Sequence, residues 1–175
     1  MKRLLSSFIG VFLLLMQSCA SRNDWSKEVG TQLLAEQSFT FVAERVHIYN
    51  PDVINIANAL PNYNAARMAE LDYGYTVVMK GDELAVELPY FGRMFNATMN
   101  RDKNSFRFTS KNFGVEETAN RKKAKVFKIT PKDVGEVQKM VLEVFPNGKA
   151  YLSIDANDRQ PISYSGYITK NETAK

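Results

Sequence analysis

The one cysteine of the chain, Cys19, stands where a thiol has a chemical use. It follows a basic start, Met1-Lys2-Arg3, and an apolar stretch from Leu4 to Leu15 broken only by Ser6, Ser7 and Gly10, with Met16-Gln17-Ser18 between. The stretch is shorter than the ~20 residues that cross a bilayer and has the length of an export-signal core. A small residue directly before a cysteine at the end of such a core is the pattern at which an exported chain is cut and its cysteine acylated. Residues 1–18 are therefore expected to be removed and Cys19 to carry lipid. That anchor is durable, because each buried CH₂ of its several acyl chains contributes ~0.8 kcal/mol. Simple cleavage after the small-x-small run Ser18-Cys19-Ala20 is the alternative.

A second group is aromatic. Tyr73, Tyr75, Tyr90 and Phe91 fall together in the strand register worked out below, with Arg93 beside them. Rings with one cation can line a pocket for an amphipathic or glycan ligand, or simply fill the core of a small barrel. His47, the only histidine, shares the alternation phase of Phe39, Phe41 and Arg45 and reads as a strand-end side chain, since no Ser or Cys nucleophile is marked for it. Acidic residues are scattered on outward phases, and a hydrolytic carboxylate pair would have to converge from distant strands. The sequence has no P-loop, His-Glu-x-x-His or Gly-x-Ser-x-Gly motif. One Cys and one His leave no structural zinc set. The chain is read as a non-catalytic protein with no cofactor and no metal. The basic run Arg121, Lys122, Lys123, Lys125 and Lys128 could meet anionic head groups, but it reads more simply as the solvated edge of a hairpin. Arg159, at the start of the last strand, can bond carbonyls or a ligand.

These side chains must be held by something, and the periodicity says by what. Residues 19–24 form a short tether and residues 25–170 a single domain, with a frayed tail at 171–175. Trp25, Val29 and Leu33 recur at spacing four, which predicts one amphipathic helix over 25–36, weakened by Gly30. From Gln37 the period changes to two. A strand is expected over 37–48, with Phe39, Phe41 and Ala43 on one face. Residues 49–66, with Asn50, Pro51, Asn55, Asn58, Pro61, Asn62 and Asn64, read as a long loop, of a length that is often functional or mobile.

Two hairpins can be fixed by arithmetic. Leu71, Tyr73, Tyr75, Val77 and Met79 precede the turn Gly81-Asp82, and Leu84, Val86, Leu88 and Tyr90 follow it. A two-residue loop pairs Met79 with Leu84, Val77 with Val86, Tyr75 with Leu88 and Tyr73 with Tyr90, and every apolar residue lands on one face. Around Pro146-Asn147-Gly148 a three-residue loop pairs Val144 with Ala150, Leu142 with Leu152, Met140 with Ile154 and Lys139 with Asp155. Pro146 suits the first corner of a type I turn and Gly148 the left-handed position after it. Further strands are expected near 94–99, 105–110, 113–120, 125–130 and 160–169. The sum is a mainly β fold: an antiparallel meander of about eight strands forming a barrel or half-barrel, with one N-terminal helix.

Composition narrows the function classes. The chain has 175 residues, 45% hydrophobic and 24% charged, with a formal net charge of +4. Taking Lys2 and Arg3 from 23 basic residues leaves 21 against 19 acidic, or +2. So slight an excess gives no reason to expect a nucleic-acid partner. A single cysteine excludes a disulfide framework within one chain.

Four segments, Phe39-Thr40-Phe41-Val42-Ala43-Glu44-Arg45, Leu88-Pro89-Tyr90-Phe91-Gly92-Arg93, Val144-Phe145-Pro146-Asn147-Gly148 and Arg159-Gln160-Pro161-Ile162-Ser163-Tyr164-Ser165-Gly166, together resemble an uncharacterised family of lipoproteins from Gram-negative Bacteroidota, a domain of unknown function. The resemblance runs from residue 39 to 166. It implies a lipid-anchored, mostly β envelope protein, at the outer membrane with its periplasmic or surface face left open, and it brings no catalytic residues. The expectation is a binding module for a small hydrophobic, lipid or glycan ligand, with a cavity behind Tyr75, Leu88 and Tyr90. The alternative is an accessory subunit that binds another envelope protein.

Overall fold

The computed structural model of the chain describes residues 27–62, 64–95, 105–120 and 124–171. Cys19 and Trp25, residues 96–99 and the basic residues Arg121, Lys122 and Lys123 lie outside them. The elements are α1 (Lys27–Ala35), β1 (Ser38–His47), α2 (Pro51–Ala59), α3 (Ala65–Met68), β2 (Thr76–Lys80), β3 (Leu84–Pro89), β4 (Ser105–Ser110), β5 (Phe113–Ala119), β6 (Lys125–Pro131), β7 (Val137–Val144), β8 (Lys149–Ala156) and β9 (Ile162–Thr169).

The strands form one sheet in the order β4-β3-β2-β1-β9-β8-β7-β6-β5, with every neighbouring pair antiparallel. Consecutive strands lie side by side, and the last strand returns to the first. The one consecutive pair not joined is β4 and β5, which are the two edges. The sheet is therefore a barrel with one seam. Its curvature can be read from contacts across the interior. Phe39 on β1 and Phe127 on β6 are four strands apart in the sheet, which in a flat sheet is roughly 19 Å, yet their ring centroids are 5.7 Å apart. The Tyr164 hydroxyl on β9 donates to the Pro89 carbonyl on β3, 2.7 Å away and three strands off. Side chains from all the strands but β5 meet in one continuous core, and Phe113 and Val115 of β5 pack against it.

Both hairpins form in the expected register near their turns. Met79 faces Leu84 and Val77 faces Val86. Around Gly148, which takes φ 79°, Val144 faces Ala150, Leu142 faces Leu152, Met140 faces Ile154 and Lys139 faces Asp155. The first hairpin is shorter than expected, because β2 begins at Thr76. Ahead of it the chain turns away at Gly74, φ 121°, and the Leu71 N–H donates to Glu44 O of β1 instead. Tyr73 thus has no strand partner and does not face Tyr90.

Four further expectations change. Residues 49–66 are not simply a loop: α2 and α3 lie there. Asn50 caps α2 by accepting from the Asp52 N–H, with Pro51 in the first turn, and Asn64 caps α3 by accepting from the Arg67 N–H. Asparagine and proline serve helix starts as well as turns, and here they do the former. In α1 the buried positions are Gly30 and Leu34, one step on from the Val29 and Leu33 stripe, and Leu34 joins the core. Of the strand expected at 94–99, Met94 makes a single bridge to Arg159.

The fourth change concerns His47. The β1–β9 register shifts between Ala43, which faces Gly166, and Arg45, which faces Ser165, so Glu44 is the extra residue of a β-bulge. One inserted residue reverses the alternation. Phe39, Phe41 and Ala43 point inward before it and Val46 after it, and this puts Arg45 and His47 on the outer wall. Gly166 makes the bulge possible: a Cβ there would stand 1.9 Å from Val42 O.

Candidate functional site

The two ends of the barrel differ. At one end α1 and the β2–β3 turn come together, and Gly81 N–H donates to Gln37 O. At the other, β1 and β3 finish and β9 begins. There the segments 47–52, 91–93 and 160–162 enclose an open cleft of about 510 Å³.

Its floor is built by backbone and by one buried tyrosine. The Gln160 N–H donates to Arg93 O at 3.0 Å, and the Tyr90 hydroxyl points its donor between Arg93 O and Gln160 O, 2.9 and 3.1 Å away. A Cβ at Gly92 would meet that hydroxyl at 2.5 Å, so the corner 91–93 can fold this closely over Tyr90 only without a side chain at 92. Burial pushes the Tyr90 hydroxyl pKa up, so it stays protonated and available as a donor.

Beneath the floor lies Arg159, fully buried. Its guanidinium holds both oxygens of Asp158 at 2.9 Å, reaches Ser105 O at 3.3 Å, and stacks 5.2 Å from the Tyr90 ring and 4.8 Å from the Phe106 ring. Burial works against its charge, but Asp158, Glu136 and Tyr90 together outweigh it and the pKa is raised. Arg159 therefore ties the start of β4 to the entry of β9, and is not free for a ligand. Together with Phe106, whose ring meets Tyr90 edge-on at 5.7 Å, it occupies the space behind Leu88 and Tyr90 where a ligand cavity was expected.

The walls carry the chemistry. Tyr49 and Phe91 supply rings, and Asn50, Asp52, Arg93 and Gln160 supply hydrogen-bonding groups. Asn50 Nδ2 donates to Gln160 Oε1 at 3.2 Å, joining the α2 cap to the β9 entry. Arg93 and Asp52 are exposed, and neither side chain has an ion-pair partner among the described residues. On the rim, His47 Nε2 lies 2.6 Å from Ser165 Oγ, and the Tyr49 hydroxyl bonds the Tyr151 hydroxyl at 2.9 Å and Ser163 Oγ at 3.0 Å. Partial burial, and then the nearby Arg45 charge, lower the His47 pKa, so the ring is neutral at neutral pH.

The His47–Ser165 contact is the one that would suggest a hydrolase, and it lacks two parts of such a site. No carboxylate among the described residues hydrogen-bonds the ring. Ser165 also sits mid-strand, paired to Tyr151 on one side and Arg45 on the other, so the amides around it are engaged in the sheet and not gathered at an oxyanion position. No cluster of three or more His, Cys, Asp or Glu side chains suited to a metal occurs among the described residues.

Of the five aromatic and cationic residues singled out in the sequence, Phe91 and Arg93 line the cleft and Tyr90 supports it from below. Tyr75 is half-buried against the core. Tyr73 is 82% exposed on the outer wall, in a separate shallow groove with Thr40, Val42, Thr76 and Val78. Sequence reasoning missed Tyr49, Asn50, Asp52 and Gln160. The available signal was Asn50-Pro51, a helix start placed directly after a strand.

Residues 23–168 match the model of the family DUF4251, described as a domain of unknown function. The chain belongs to the DUF4251 family. Among solved structures, this DUF4251 domain resembles the crystal structure of a DUF4251 family protein from Bacteroides eggerthii DSM 20697, with a TM-score of 0.50 and 12% sequence identity, over 82% of this chain and 87% of that one. At that identity the likeness speaks for the fold alone. No curated protein matches the chain.

Proposed function

We propose that this DUF4251 domain is a non-catalytic binding module of the cell envelope, anchored to the outer membrane by acyl chains on Cys19, whose barrel-end cleft takes a glycan. The observation that carries the reading is the contrast between the space behind Leu88 and Tyr90, taken by Arg159 and Phe106, and an open cleft walled by two aromatic rings and the polar side chains of Asn50, Asp52, Arg93 and Gln160. A lipid or other hydrophobic ligand needs an enclosed apolar space for its chain, and the interior offers none behind Leu88 and Tyr90. A sugar presents apolar C–H faces and directional hydroxyls, which match rings bordered by amide, carboxylate and guanidinium groups. The geometry also suits a tether. Cys19 lies upstream of α1, which leads into the first residue of β1, and the cleft lies at the last. The 10 residues of β1 are roughly 30 Å long, so the cleft lies at the opposite end of that strand from α1.

Native mass spectrometry of the full protein, purified gently from its own envelope, tests the reading. The expected result is a tri-acylated mass that is lost in Cys19→Ala, with a retained or exchangeable saccharide. An unacylated wild-type protein removes the anchor. The second reading is an accessory subunit that docks on another envelope protein. It draws on Ile56, Leu60 and Phe95, apolar side chains that are 66%, 51% and 59% exposed. A co-purifying protein that is lost on substituting those side chains, with no saccharide, would favour it.

A further inference from the structure

Beside the cleft, on the outer wall, lies a larger depression of about 770 Å³, lined by Glu44, Glu143, Phe145, Lys149, Tyr151 and Ser165 among others. We infer that the two are one groove, built for a linear glycan several sugars long; this rests on the reading that the cleft binds saccharide. The boundary between them is one hydrogen bond wide. His47 on the cleft side bonds Ser165 on the other at 2.6 Å, and Tyr49 bonds Tyr151 at 2.9 Å. The rings of His47 and Tyr151 also lie against each other, with centroids 5.5 Å apart. The ridge thus consists of hydroxyls and one neutral imidazole. Each of these can trade its internal hydrogen bond for one to a ligand hydroxyl at little net cost, because like is exchanged for like.

The bulge in β1 makes this surface. Were β1 regular through Glu44, with no bulge, His47 would keep the phase of Phe39 and point into the core. With the bulge, Glu44 is exposed in the depression and His47 stands on the ridge. Gly166, which permits the bulge, lies in the floor of the depression.

The lining also separates glycan from peptide. An extended peptide binds best by adding itself to a free strand edge. The outer-wall part of the groove runs over β1, β9, β8 and β7, and each of these has a strand hydrogen-bonded on both sides. There no strand edge is left to pair with, and recognition falls to side chains, with Glu44, Glu143, Phe145, Tyr151 and Ser165 among them. A chain of repeating rings and hydroxyls meets that pattern at every step.

The test uses the full mature chain. A printed array of linear mono- to hexasaccharides of defined linkage, with extended peptides as a second set, identifies the glycan series. Calorimetry then follows that series by length. The affinity is expected to rise by about tenfold or more from disaccharide to hexasaccharide. Phe145→Ala and Glu44→Ala are each expected to return the hexasaccharide to the disaccharide level while leaving the disaccharide unchanged. The exposed Glu44 keeps the test valid if Phe145→Ala fails to fold. Arg93→Ala is expected to weaken every length. Affinity that is flat with length, or indifferent to both outer-wall substitutions, overturns the groove and leaves the cleft reading in place. Failure of every glycan to bind, or binding of the peptides in their stead, overturns both.

Discussion

The two ends of this barrel are made from the same strands and treat their polar groups in opposite ways. At the α1 end they are committed. Asn171 reaches Thr40, Ser38 and Met79 O. The seam is committed in the same way: Asp133, in the β6–β7 connection, accepts from the Ser110 hydroxyl and from the Lys111 and Asn112 amides, at 3.0 and 3.2 Å for the amides, and so pins the corner where β4 passes to β5. At the other end a buried layer is equally committed, in Arg159, Tyr90 and Tyr164, but above it Arg93 and Asp52 have no charged partner among the described residues. A barrel must satisfy its buried polar groups to stand. Groups beyond that requirement, gathered at one end, mark where the molecule is equipped to meet something else.

The sharpest way to test this division is at Arg159, since it sits directly under the cleft and by residue type alone could be mistaken for a ligand contact. Removing one partner of a buried charge pair costs about 3–5 kcal/mol, and Arg159→Met is expected to lose stability on that scale. An exposed pair such as Arg45–Glu70, 3.0 Å apart, contributes about 0–1 kcal/mol, so Arg45→Met is the control. Urea unfolding with an unchanged m-value checks both. Equal, small losses for the two would mean that the layer under the cleft is not the structural floor described here.

Next in size is Gly166→Ala. Its Cβ would collide with the Val42 carbonyl, which is backbone and cannot rotate away. Overpacking of this kind costs about 1–3 kcal/mol, and the bulge is what must give. The expected outcome is a loss of that order together with a shift in the His47 and Ser165 resonances. A neutral substitution would show that β1 and β9 do not approach as closely as the bulge requires.

The bulge also shows where sequence reading stops. The hairpins at Gly81 and Gly148 were legible because alternation and turn chemistry are both local, and each constrains the register independently. The fold class follows from them. The bulge is a matter of one residue, and its mark, two adjacent polar residues at Glu44-Arg45 followed by an inward Val46, is visible only once the partner strand is known. Hence alternation alone keeps His47 in phase with Phe39, and the bulge turns it to the outer wall. In residues 49–66 asparagine is ambiguous between turn and helix cap, and only the tertiary setting of α2 resolves it. Tyr90 and Arg93 belong to the same corner, but one is a buried support and the other an exposed wall. Residue type does not separate them, because an arginine is rarely buried and a tyrosine is intermediate, and here Arg159 breaks the first rule beneath them.

At the seam the effect is expected to be smaller and to depend on pH. Hydrogen bonds from Ser110 and then from the Lys111 amide lower the Asp133 pKa below the usual carboxylate value. A depressed folded-state pKa contributes stability that is present above the unfolded value, near 4, and fades as pH falls through the folded one. Asp133→Asn should therefore melt at a lower temperature than wild type at neutral pH, and the gap should close as pH drops below about 4. A gap that stays constant through the acid range would mean that the charge on Asp133 is irrelevant to the corner.

The smallest expected change in stability is at Arg93, and for that reason it is the most telling for the cleft. What the fold uses from this residue is its carbonyl, which accepts from Tyr90 and from the Gln160 amide, and any side chain leaves that intact. The guanidinium is exposed, and truncation of such a group changes stability by no more than about 0.5 kcal/mol. Arg93→Ala should thus unfold with wild type while losing glycan affinity. Arg159→Met should show the converse, a large loss of stability, with binding lost only as the floor unfolds. A loss at Arg93 comparable to that at Arg159 would place it in the supporting layer, and the open end would then hold no more spare chemistry than the sealed one.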